Sequence, residues 1–287
     1  MKKIGIAFVF VVLFSAFVYA LRSGQCPLRI LSHAPSSLDS SVAINTRPLA
    51  IQGQKTTPLL EEGLTLLKNR RDREALAIFE RILLQRSDSL DALWGKAEVL
   101  RRTRNYTLAE ELLQRIIHQD PNHLSCLISL AYIRYKDNNY KEAIRLIHHI
   151  LNQPGVDNQT RSLAYIMQGT INSSRAKGGL LNKLAFGTQI KGFFLKAKNL
   201  SPDLPEVRLG LGTFYLLAPR IAGGDLEKAM EELQASVRLA PTFATALARL
   251  AQAYKRKGDL SRFTAYLKNA KELDPENEVV HQLRGSL

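Results

Sequence analysis

The chain has 287 residues, 45% of them hydrophobic, which is enough for a sizeable core. Forty Lys and Arg stand against 26 Asp and Glu, a formal charge of +14, and 11 prolines and 17 glycines are few enough for an α-rich protein. Its two cysteines, Cys26 and Cys126, form no CxxC or Cys/His cluster, so neither a disulfide framework nor a zinc site is supported.

Lys2 and Lys3 precede an uncharged apolar run over residues 4–21. Its length lies between a signal-peptide core and a spanning helix. Val18, Tyr19 and Ala20 suit cleavage after Ala20, and an uncleaved anchor fits equally well. Either way residues 1–21 send the remainder across a membrane, with the lysines left in the cytoplasm. The expected location is extracytoplasmic, periplasmic or anchored to a bacterial membrane. Cys26 follows Ser23, Gly24 and Gln25, which lack the small residue that precedes a lipidated cysteine. Residues 22–55 read as a flexible tether: polar, aperiodic and interrupted by Pro27, Pro35 and Pro48.

From residue 56 a 34-residue repeat sets in. Ala75, Ala109 and Ala143 keep that spacing, as do Gly63, Ala97 and Ala131, and Leu66 and Leu100. Apolar residues three and four apart give each segment a helical stripe. Small residues mark where paired helices approach most closely, and Pro121 and Pro154 stop second helices. The pattern returns with Ala251, Tyr254, Leu267, Ala270 and Pro275. Stacked helical hairpins are the expected architecture, an all-α solenoid. Residues 56–155 make three regular units, residues 156–204 one long basic unit with an insertion, and residues 205–287 two further units with a C-terminal capping helix.

These residues resemble the tetratricopeptide repeat (TPR) family, whose order of Leu or aromatic, small residue, Tyr or Leu, Ala, Phe, Ala and Pro covers residues 56–275 in about six units. Two units depart from it. The fourth runs to Phe194, Ala197 and Pro202, about 14 residues too long, and insertions in a solenoid map to loops. The fifth carries the extra residues 219–223. The resemblance implies a protein-interaction scaffold whose first helices line a concave groove. On that register Trp94, Glu98, Arg101, Tyr132, Tyr135 and Lys136 face inward, followed by Leu209, Thr213, Leu216, Gln252 and Lys255. Groove-facing Trp, Tyr and Arg are good peptide anchors. Trp94, Glu98, Ile128 and Tyr132 occupy the positions where some family members clamp a C-terminal carboxylate, so that clamp is not expected.

Half of the net charge lies in residues 158–202, which hold seven Lys and Arg and no acid. Lys177, Lys183, Lys191 and Lys196, interleaved with Phe186, Phe193 and Phe194, form a candidate membrane or anion patch. The alternative is an ordinary repeat core with a solvated basic face. Export argues against nucleic acid.

Gly210 and Gly212 superficially match a dinucleotide loop, but no strand precedes them and Gly212 holds a small-residue repeat position. Pro219 is expected to end a helix, Gly223 and Gly224 to turn the chain, and Asp225 to cap the next helix. Residues 160–260 are also similar to the T component of TRAP-type solute transporters, which implies an alternative role as an accessory subunit. His148 and His149 are adjacent and diverge on a helix, so they chelate no common ion. No catalytic arrangement is legible. The expectation is therefore a non-enzymatic scaffold with no cofactor and no metal, and a protein or peptide as partner.

Overall fold

A computed structural model describes residues 58–176 and 180–284, with the side chains of 180–188 set aside. The expected signal segment and tether, and the chain end at 285–287, lie outside the described residues. Among these residues the secondary structure is helical, with no strand. Six hairpins follow one another: α1 (Pro58–Lys68) with α2 (Asp72–Gln85), α3 (Leu90–Arg102) with α4 (Tyr106–Gln119), and α5 (Leu124–Lys136) with α6 (Tyr140–Asn152). Then come α7 (Asn158–Arg175) with α8 (Leu180–Leu200), α9 (Pro205–Leu217) with α10 (Leu226–Leu239), and α11 (Ala244–Lys257) with α12 (Leu260–Leu273). A short α13 (Glu278–Arg284) covers the last hairpin. This is the TPR-like solenoid that the repeat implied. None of these helices is long and apolar enough to cross a membrane.

The repeating residues act at the helix contacts. Ala75, Ala109 and Ala143 are fully buried, as are Ala97 and Ala131. A Cβ added to Gly63 would lie 2.9 Å from Phe79 Cε1, and one added to Gly95 only 2.3 Å from Phe79 Cζ. The Phe79 ring therefore occupies space left by two glycines, one on each neighbouring first helix. Sequence spacing had marked Gly63, while Gly95 falls outside the registry and was missed.

The turns inside the first, second, third and sixth hairpins share one geometry. The amides of Arg71, Asn105, Asn139 and Asp259 each donate to a carbonyl five residues back, at 2.8–3.0 Å. The residue before each is left-handed: Arg70 (φ 60°), Arg104 (66°), Asn138 (60°) and Gly258 (85°). This is the Schellman close, which favours glycine. The Arg70 and Arg104 backbones adopt it despite their Cβ atoms, at roughly 1–2 kcal/mol each.

The fourth unit corrects the expectation of an inserted loop. Its extra residues lengthen both helices, to 18 residues in α7 and 21 in α8. Neither helix contains a proline, which lets each run on past the length of the regular units. The fifth unit behaves as its sequence predicts. Pro219 follows the end of α9, residues Arg220–Ala222 form one 3-10 turn, and Gly223 is left-handed (φ 92°). Gly224 is constrained by space, since a Cβ there would lie 1.9 Å from the Ala218 carbonyl oxygen. The Asp225 carboxylate caps α10 by accepting from the Lys228 amide at 3.1 Å.

Candidate functional site

The first helices α1, α3, α5, α7 and α9, with the start of α11, wall a cavity of about 2370 Å³. Contacts between the early and late hairpins close it. Thr242 Oγ1 donates to the Asn69 carbonyl at 3.0 Å, across 173 residues of sequence. The Arg70 guanidinium pairs with Glu206 and lies 3.9 Å from the Phe243 ring centre. Arg104 forms a forked pair with Asp274 (2.7 and 3.1 Å), and Lys136 pairs with Glu278. Arg70 and Arg104, the left-handed turn residues of two hairpins, are thus two of the three cations that bridge to the C-terminal half, Lys136 being the third.

One wall of the cavity is polar and already paired. Glu98 sits at its centre, buried, accepting from Arg101 Nε (2.8 Å), Arg102 Nε (2.9 Å) and Ser129 Oγ (2.8 Å). Arg102 also reaches Asp72 and the Leu67 carbonyl, each at 2.8 Å. Desolvation of the Glu98 carboxyl pushes its pKa upward. The Arg101 charge and hydrogen bond, then Arg102 and Ser129, outweigh that push and hold it well below the usual carboxylate range. Another part of the lining is apolar, built from Leu163, Ile166 and Met167 of α7, Phe194 of α8, and Leu209 and Phe214 of α9. The inserted turn of the fifth unit forms part of its rim, with Ile221 fully exposed.

Eight of the eleven candidate groove residues line this cavity: Trp94, Glu98, Arg101, Tyr132, Tyr135, Lys136, Leu209 and Thr213. Most are engaged within the chain. Trp94 Nε1 donates to Ser129 Oγ (3.2 Å), Arg101 stacks 4.1 Å from the Tyr132 ring centre, and Tyr135 Oη lies 3.2 Å from Ser174 Oγ. Gln252 and Lys255 are not brought in. Gln252 Oε1 accepts from Arg249 at 2.8 Å, and Lys255 Nζ lies 5.0 Å from the Phe263 ring centre, beside α12. Leu216 is buried in the core. The contribution of α11 ends with Ala244, Thr245 and Arg249, of which sequence reading gave no sign.

The candidate basic patch divides. Lys177 and the Lys183 side chain lie outside the described residues. Lys191 lines the cavity, whereas Lys196 lies 5.6 and 5.9 Å from the Tyr165 and Phe193 ring centres and does not line it. Five residues apart on one helix, the two lysines point about 140° from each other. Cys126 is a buried thiol whose Sγ donates to the Leu113 carbonyl at 3.3 Å, and burial pushes its pKa up to about 12. Among the described residues no group of three His, Cys, Asp or Glu side chains is placed to hold a metal ion.

Two family models match the chain. One, described as anaphase-promoting complex (cyclosome) subunit 3, covers residues 68–150, and a tetratricopeptide repeat model covers residues 220–287. No curated protein sequence matches. Among solved structures, human IFIT1, as a dimer with PPP-AAAA, is similar at a TM-score of 0.55 and 17% identity. That match takes in 79% of this chain and 51% of IFIT1, so the chain spans about half of that protein. PilF of Pseudomonas aeruginosa is 18% identical, covering 80% of this chain and 96% of PilF, with a TM-score of 0.45. PilW, a type IV pilus biogenesis factor, is 14% identical over 80% of this chain and 99% of its own length, with a TM-score of 0.48. At such identities the IFIT1 likeness speaks to fold alone.

Proposed function

Because the chain is a tetratricopeptide-repeat protein, a scaffold class for protein interaction, we propose that its cavity holds an extended segment of a partner protein. The observation that carries this reading is the cavity itself, lined by a paired polar cluster around Glu98, by apolar side chains of α7–α9 and by an exposed Ile221. Fixed polar groups orient a ligand while apolar side chains supply most of the burial. Trp94, Arg101 and Tyr132 are already held in place, so little side-chain freedom is lost on binding. The proposal assigns no catalytic residue, cofactor or metal.

Location is a second part of the same proposal. The apolar run of residues 4–21 behind two lysines supports export, with residues 22–55 tethering the repeats to the outer face of a bacterial membrane or releasing them after cleavage at Ala20. A reporter fused after residue 55 is then active only outside the cytoplasm, and cytoplasmic activity would refute the location.

Photo-crosslinking tests the site. A benzoylphenylalanine at Thr213, on the cavity wall, is expected to capture a partner in cells, and one at Leu84, exposed and away from the cavity, is not. Capture from Leu84 with none from Thr213 would move the partner site off the cavity.

A further inference from the structure

Ten Lys and Arg side chains and eight carboxylates line the cavity. Six of those carboxylates, Asp72, Glu74, Glu98, Glu206, Asp274 and Glu278, already pair with cations that line the same cavity. Asp157 is used as the cap of α7, accepting from the Thr160 amide at 2.9 Å, and Glu272 lies 3.9 Å from Lys268. Four lining cations have no carboxylate within ion-pair distance among the described residues: Lys68 and Arg73, and Lys191 and Arg249.

Arg249 and Lys191 are the informative pair, because both are partly buried. Arg249 has one neutral partner, Gln252, at 2.8 Å. Burial lowers the pKa of its guanidinium and outweighs the charge of Glu278, which acts the other way from beyond ion-pair distance. Lys191 Nζ has the Tyr215 ring 5.7 Å away. A cation withdrawn from water without a counter-charge is unfavourable, and an incoming carboxylate removes that penalty. The planar fork of Arg249 also suits two-point contact with a carboxylate.

We propose that the segment held in the cavity is acidic, with Asp or Glu side chains pairing with Arg249 and Lys191 while its apolar residues face Phe214 and Ile221. This rests on the reading of the cavity as the partner site. A nucleic acid strand fits less well. It carries a phosphate at every nucleotide, while most arginines of this wall are spent on the protein's own carboxylates.

The test uses the full chain in detergent and two fluorescein-labelled peptides with amidated C-termini. One alternates glutamate with alanine and leucine, and the other has lysine in place of glutamate. Fluorescence anisotropy is expected to show binding of the glutamate peptide alone, weakening as salt rises. Arg249→Gln with Lys191→Gln should weaken it roughly tenfold or more, the loss typical of charge-assisted contacts. Arg249→Lys, which keeps the charge, should retain most of the binding, and unchanged thermal melts would show that the variants still fold.

Equal binding of both peptides, binding of neither, or indifference to the double variant overturns the proposal. Oligoadenylate that binds more tightly than the glutamate peptide overturns it in favour of nucleic acid. If Thr213 still captures a partner whose crosslinked segment is neutral or basic, the acidic assignment fails and the cavity site stands. If Thr213 captures nothing, both readings fail.

Discussion

The first three hairpins and the fourth and fifth solve the same packing problem in different ways. In the regular half a 34-residue register places small residues under large ones, and the charged side chains of α3 neutralise each other around Glu98. In the irregular half the helices of the fourth hairpin run longer, the inserted turn of the fifth exposes Ile221, and Lys191 lines the cavity with no acid in reach. The regular part thus supplies a wall whose buried charges pair around Glu98, while Lys68 and Arg73 at its exposed edge do not. The departures from register add the exposed Ile221 and the unpaired Lys191.

That contrast breaks most directly at the two buried aromatics. Phe79→Ala should cost roughly 3–5 kcal/mol, because Phe79 is wholly buried and fills the space over Gly63 and Gly95. Phe194→Ala should cost less, since Phe194 borders the cavity and its neighbours can settle inward. Chemical denaturation of both variants measures the difference, and equal losses would mean that the two halves pack alike.

Glu98→Gln probes the paired wall and should cost about 3–5 kcal/mol by leaving Arg101 and Arg102 buried with one counter-charge fewer. It also carries a pH signature. The Glu98 pKa is lowered in the folded state, so its stabilisation is complete above the unfolded-state value of about 4.3 and fades as pH falls below it. Melting temperatures of the wild type should therefore drop more steeply between pH 5 and pH 3, to order of magnitude, than those of the variant. Parallel curves would remove Glu98 from the acid response.

Smaller effects separate the glycines. Gly95→Ala forces its Cβ to 2.3 Å from a ring carbon and should cost about 1–3 kcal/mol. Gly169→Ala meets Phe194 at 2.8 Å, beside the cavity, and the helix propensity gained, up to about 1 kcal/mol, offsets much of the strain. The smallest change is expected at Arg104→Gly. Relief of the left-handed backbone, about 1 kcal/mol, offsets loss of the half-exposed pair with Asp274, worth about as much at most. A thermal shift beyond a few degrees would show that the bridge matters more than its exposure suggests.

The hairpins were legible because each is local: Ala75, Ala109 and Ala143 announce their contacts within one repeat. The lengthening of α7 and α8 had no such local mark, since the proline-free run 59–120 is longer still and holds helices of regular length. Arg70 and Arg104 stand one repeat apart at a turn where Gly258 stands in the last unit, a pattern that marks a special backbone. Their partners, Glu206, Phe243 and Asp274, lie well over a hundred residues away and have no local signature. The same holds for Arg249, whose unpaired state depends on which carboxylates other arginines have taken.

An open solenoid is a one-dimensional stack in which each repeat touches only its neighbours, so its ends fray and unfolding spreads unit by unit. The bridges from Asn69, Arg70, Arg104 and Lys136 to the last hairpins join the two ends of that stack. Peeling off the first hairpin also strips contacts from the fifth and sixth, so melting becomes more nearly all-or-none. Folding carries the complementary burden, because contacts this distant in sequence form only after long loops have closed, which slows the approach to the native state.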